Sequence, residues 1–245
     1  MKGYLGTILV IFISSGIVQA EDIKQIKVEA TEVENSSSSH LSYEEIIFKQ
    51  KRKINSFFKI PRLNDLEIKL LGANDFYEQT GSTEWVNALY SNKIIYIKST
   101  KNNFFKINKN VFKKLFTHEY VHAVLDHLTN SNCPAWLDEG LAMILTEEQK
   151  NFKLENLKQI EIDQIPHLSK LTESFVSYDQ HLASIAYKKS IWATSRLLEA
   201  KNYDILKSFL ISLKTRNVVK SLKRYYNVEY SEIEELSNTK ILASK

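Results

Sequence analysis

The sequence predicts an α+β fold in which a small mixed sheet comes first and a helical lobe follows. Two patterns and the junction between them predict it. Between residues 66 and 99, short runs rich in β-branched residues alternate apolar with polar positions, whereas from Val111 onward apolar residues recur at helical spacing. The change falls just ahead of two histidines four residues apart, His118 and His122.

The first twenty residues stand apart from that fold. MKGYLGTILVIFISSGIVQA has Lys2 near its start, an apolar run from Tyr4 to Val18, and Val18-Gln19-Ala20 before the acidic pair Glu21-Asp22. Those are the charged start, apolar core and small-residue cleavage site of a secretory signal peptide. The apolar run falls short of the ~20 residues a spanning helix needs. Cleavage after Ala20 is therefore expected, with export to the periplasm or extracellular space and no stable membrane association afterwards. Residues 21–41 are polar and end near NSSSSH, a flexible lead-in, although IKQIKVEATEV could form one alternating strand. The remaining 42–245 suit a single domain.

Within that domain, Ser42 and Glu45 make a capping box before IIFKQKRKINSFF. Ile46, Ile47, Ile54, Phe57 and Phe58 then mark one face of a helix ending before Pro61. LEIKLL (66–71) alternates like a strand, and a short helix or turn over 75–80 stops at Gly81. A second strand is expected at 85–90 and a stronger one, KIIYIKS, at 93–99. The helix through Val111, Leu115, His118, His122 and Leu125 is broken by Pro134, and another runs over 136–146. Beyond Pro166, helices are expected at 180–200, 203–214, 217–226 and 231–236.

Composition excludes some functions. The net charge of +4, or +3 once Lys2 leaves with the leader, is spread among interspersed acids and bases. No basic stripe with interleaved aromatics marks a nucleic-acid partner. Cys133 is the single cysteine, so no internal disulfide can form. After the leader only Gly72, Gly81 and Gly140 remain, so Gly140, directly after Glu139, is expected where the backbone needs it.

The chemistry concentrates in HEYVH, residues 118–122. Positions four apart on a helix point nearly the same way, so His118 and His122 can offer nitrogens to one ion. Glu119 sits beside them, able to take a proton from a metal-bound water. The pattern also arises by chance, and two satisfied histidines on a half-buried helix are the plainer account. A catalytic zinc needs a third protein ligand. The long signature with a glycine and a third histidine is absent, because Leu125 and Leu128 occupy those places. His127 and Asp126 suit supporting or surface roles, and Cys133 lacks a C-x-x-C partner. Glu139 is the better candidate, seventeen residues past His122 on a helix able to fold back beyond Pro134. Asp138 could orient His118 or His122 by a hydrogen bond, although an acid at a helix start is more ordinarily solvated. Trp136 suits packing.

THEYVHAVL (117–125) followed by PAWLDEGLA (134–142) resembles the gluzincin zinc metallopeptidases, especially the peptidase MA-like proteins with a W-L-x-E-G-x-A element after H-E-x-x-H. The resemblance covers roughly 66–236 and is strong only over 117–144. It implies a zincin-like fold and one Zn2+ per chain held by His118, His122 and Glu139. KIIYI would be the edge strand over the H-E-x-x-H helix, a place for substrate to add as a strand. Tyr187, within ASIAYKKSIWATSRLLE, would match the family's tyrosine on a later helix and donate a hydrogen bond to the oxyanion. Tyr178, His181 and His167 compete for that role. The G-x-M-E-N motif of the aminopeptidase branch is absent, so amino-terminal trimming has no support. The implied function is a secreted or periplasmic metallopeptidase acting on a peptide or protein substrate, with Glu119 as general base. The alternative is a catalytically inactive gluzincin-fold protein that binds peptide or protein partners.

Overall fold

A computed structural model describes residues 9–11, 42–63, 65–99, 107–148, 166–175, 178–200 and 202–234. The expected cleavage site and the lead-in with its IKQIKVEATEV strand lie outside the described residues, as does the end of the helix expected at 231–236. The fold is α+β, a small mixed sheet followed by helices. Among the described residues no helix is long and apolar enough to cross a membrane. The chain divides into two units, residues 1–120 and 121–245, with the boundary inside helix α3 (Lys109–Thr129).

In the first unit, helix α1 (Tyr43–Phe58) begins at the expected capping box. The Ser42 N–H donates to Glu45 Oε2 at 2.8 Å, and the Glu45 N–H donates to Ser42 Oγ at 3.2 Å. Two of the helix's orphan donors are thereby satisfied. The helix ends as Lys59 turns left-handed, two residues before Pro61. Its inner face is not purely apolar. Ile46, Ile47, Ile54 and Phe58 are buried, but so are Gln50, Lys51 and Asn55. The start of α3 answers with both chemistries. Phe112, Phe116 and Tyr120 stack in series, while Tyr120 donates its hydroxyl to Asn55 Oδ1 at 2.8 Å.

The sheet runs β1 (Leu9–Ile11), β2 (Glu67–Leu71), β4 (Ile94–Lys98), β3 (Ala88–Ser91) in spatial order. β2 and β4 are parallel, with Ile68 opposite Ile95 and Leu70 opposite Ile97. β4 alternates cleanly, burying Ile95 and Ile97 and turning Tyr96 the other way. Helix α2 (Ala73–Thr80) lies in the connection between them and stops at Gly81, whose φ of +64 suits glycine. The three-residue β1 pairs antiparallel with β2 and belongs to the segment expected to be removed as a leader. In a chain cleaved after Ala20, β2 is an edge.

One expectation is overturned. KIIYI is not an edge strand, because β4 is bonded on both sides and β3 takes the edge. The cause is a two-residue hairpin turn at Asn92-Lys93, both with positive φ, which folds β3 back antiparallel onto β4. β3 itself starts later than residue 85, since the Val86 N–H closes a turn onto Thr83 O at 3.1 Å.

In the second unit, the rest of α3 buries Val121, Val124, Leu125 and Leu128. Asn130 and Ser131, both left-handed, reverse the chain before α4 (Ala135–Leu145). Pro134 caps α4 without a side-chain bond, so the helix's first N–H groups need outside acceptors. Ala135 and Trp136 donate theirs to the carbonyls of Thr172 and Leu171, at 3.2 and 2.9 Å. Helices α5 (Gln180–Ala200), α6 (Tyr203–Ser212) and α7 (Val218–Tyr226) follow, the last two capped by Asn202 and Asn217, and residues 230–234 are again helical. Lys189 of α5, 1% exposed, donates to Pro166 O at 2.7 Å and pairs with Glu234. Burial pushes its amine below the ordinary lysine value, against the pull of Glu234.

Candidate metal centre

Two helices supply the centre. α3 sets His118 and His122 one turn apart, and the reversal at Asn130-Ser131 returns the chain so that α4 carries Asp138 and Glu139 in its first turns. His118, His122 and Glu139 each offer one ligand atom, and these atoms all lie within 4.8 Å of one another. His122 Nε2 and Glu139 Oε2 are 3.6 Å apart. That is longer than a hydrogen bond. It is close to the roughly 3.3 Å that two ligands keep around one tetrahedral zinc with bonds of about 2.0–2.1 Å.

The other nitrogen of His122 is engaged too. Nδ1 lies 2.8 Å from Asp138 Oδ1. A carboxylate oxygen accepts, so Nδ1 is the ring nitrogen placed to donate to it. The solvated acid expected at this helix start is instead bonded to the histidine, although it keeps 28% exposure. Both His122 and Glu139 are 13% exposed. His118, His122 and Glu139 are all intermediate in exposure, neither buried nor fully solvated. Glu119 follows His118 directly and is 6% exposed, a carboxylate held out of bulk water next to the histidine pair.

The residues set aside on sequence grounds have other occupations. Asp126 accepts from Ser131 Oγ at 2.5 Å, closing the end of α3, and His127 is exposed. Burial, aided by the charge of Asp138, pushes the Cys133 thiol well up, and among the described residues Cys133 is not part of the group whose ligand atoms converge. Trp136 is fully buried, edge-on to Tyr230 at 6.1 Å.

α5 packs on α4 through the residue after Glu139. A Cβ on Gly140 would lie 2.1 Å from Thr194 Oγ1 and 2.5 Å from Ser190 O. The backbone therefore needs glycine for close approach of two helices, not for a special torsion. Tyr187, Ser190 and Thr194 fall at i, i+3 and i+7, one stripe of α5, so Tyr187 belongs to the stripe that meets α4. Its ring is half-buried and edge-on to Phe175 at 5.3 Å. Tyr178 stacks on the other side of the same cluster at 5.6 Å, while His181 and His167 are exposed.

One feature was not foreseen. The Lys189–Glu234 pair was missed because a lysine in a KKS run looks solvated; only its place three residues from Ala186 and four from Ile185, on a buried face, could have signalled otherwise. The Asp138 bond to His122 was one of two readings the sequence left open, because spacing does not give the side-chain angle at a helix start. Comparison of the chain with protein-family models, with curated proteins and with solved structures gave no match.

Proposed function

We propose that this chain is an exported, zinc-dependent metallopeptidase with a zincin-like fold of the gluzincin, peptidase MA-like kind. The observation that carries the reading is the convergence of His118, His122 and Glu139 ligand atoms within 4.8 Å. Two histidines and a carboxylate are a donor set used by catalytic zinc, leaving a coordination position for water or substrate. The bonded Nδ1 of His122 supports it, because metal-ligating histidines almost always donate their other N–H.

Zinc held there would supply a Lewis acid for the scissile carbonyl and lower the pKa of a bound water to about 7. Glu119, kept from bulk water, takes the proton of the attacking water and passes it to the departing amine. Tyr187 donates a hydrogen bond to the oxygen that gains charge. The substrate class is a peptide or protein.

Purified mature protein should carry about one zinc per chain by elemental analysis. His118→Ala and Glu139→Ala should lose it, whereas Glu119→Gln should keep the metal and stop cleavage of a peptide mixture. A zinc-replete wild type without metal would end this reading. A metal-bearing wild type that cuts nothing would support the inactive peptide-binding alternative.

A further inference from the structure

We infer that Asp138 is a positioning residue for the centre, holding His122 in the one tautomer that turns a lone pair toward Glu139. This rests on the metal reading proposed above. The geometry is a bracket around one imidazole. Asp138 Oδ1 stands 2.8 Å from Nδ1, and Glu139 Oε2 stands 3.6 Å from Nε2. Consecutive residues of one helix supply both carboxylates, so the ring is bonded on its Nδ1 side and faced by Glu139 on the other.

The turn that carries them is itself anchored. Asp138 donates its backbone N–H to Pro134 O at 3.1 Å, and the two residues after Pro134 are tied to Thr172 and Leu171. A neutral imidazole carries one ring proton. With that proton on Nδ1 and facing Asp138, the lone pair is on Nε2 and faces the other ligands. An acid in the first turn of α4 also favours the helix, whatever its neighbour. The test must separate that structural role from positioning.

Histidine-labelled, metal-free protein provides the first readout. Nitrogen NMR, with the His122 signals assigned by their loss in His122→Gln, should show Nδ1 protonated and Nε2 bare. In Asp138→Ala that preference should disappear. Competition with a chromogenic chelator provides the second readout. Zinc affinity should fall by about 10–100-fold in Asp138→Ala, as for other partners of metal-bound histidines. The isosteric Asp138→Asn, which can still accept, should lose less, and thermal unfolding of the metal-free variants removes any folding difference from the comparison. A protonated Nε2 in wild type, or zinc affinity unchanged within twofold in Asp138→Ala, would overturn the inference. If wild type binds zinc and the variants match it, only the positioning role falls; if wild type binds none, the metal reading falls with it.

Discussion

Gly140 of α4 and Thr194 of α5 approach so closely that no side chain fits between them: an added Cβ would stand 2.1 Å from Thr194 Oγ1. The contact lies one residue after Glu139, so the helix that carries the proposed ligand Glu139 is seated directly on the helix that carries Tyr187.

Gly140→Ala should therefore destabilise the protein by about 1–3 kcal/mol, the ordinary cost of overpacking. Urea unfolding followed by circular dichroism measures it. Thr194→Ala in the same chain should restore only part of the loss, because Ser190 O, a backbone atom, remains 2.5 Å from the new methyl. Full recovery would mean that the side chain alone sets the spacing.

Lys51 makes the stability depend on alkaline pH. It is 7% exposed on α1, its ammonium 5.5 Å from the Tyr120 ring centroid. Burial first, and the nearby Arg62 second, push its amine down to about 8 from 10.5. Between those values the unfolded chain holds the proton that the folded chain sheds, so the contribution of Lys51 to stability rises with pH. Lys51→Met should be the more stable protein at neutral pH, by up to about 3 kcal/mol. The gap should close toward pH 10.5. Urea midpoints of both proteins at neutral and alkaline pH check it; a gap that widens with pH would contradict the assignment.

Zinc should stabilise the native state by mass action. At free zinc about 100-fold above its dissociation constant, the gain is about 2.7 kcal/mol. For a chain of this size that is about 5–10 °C in Tm. Glu139→Ala should abolish the shift and Glu119→Gln should retain it, which thermal scans with and without zinc would show. Equal shifts in wild type and Glu139→Ala would place the metal elsewhere.

Legibility in the sequence followed the range of the interactions. Helix α1 was readable because its start is local, a serine and a glutamate three residues apart that bond reciprocally. The convergence of His118, His122 and Glu139 was readable for a related reason. His118 and His122 are set by helical periodicity, and Pro134 announces the reversal that returns Glu139 to them. What escaped was set by non-local partners or by backbone torsion. The neighbours of β4 depended on left-handed Asn92 and Lys93, a non-glycine pair that gives weak warning of a tight hairpin. The polar inner face of α1 meets partners far along the chain, with Tyr120 donating to Asn55 Oδ1 and Thr117 to Gln50 Oε1.

Tyr187 offers the sharpest separation of chemistry from architecture. Its ring contributes an edge-on contact with Phe175 at 5.3 Å, and a phenylalanine would keep that contact. The hydroxyl is the only part the proposed mechanism uses. Tyr187→Phe should therefore leave Tm and zinc content unchanged while lowering kcat about 100–1,000-fold, the usual effect of removing one oxyanion donor. KM should move little, since a donor that acts on developing charge does little for the resting substrate. Tyr178 stacks on the same Phe175 at 5.6 Å, so Tyr178→Phe is the matched control and should retain activity. If Tyr178→Phe lost the activity and Tyr187→Phe kept it, the donor would sit before α5 rather than on the stripe that Gly140 seats against α4.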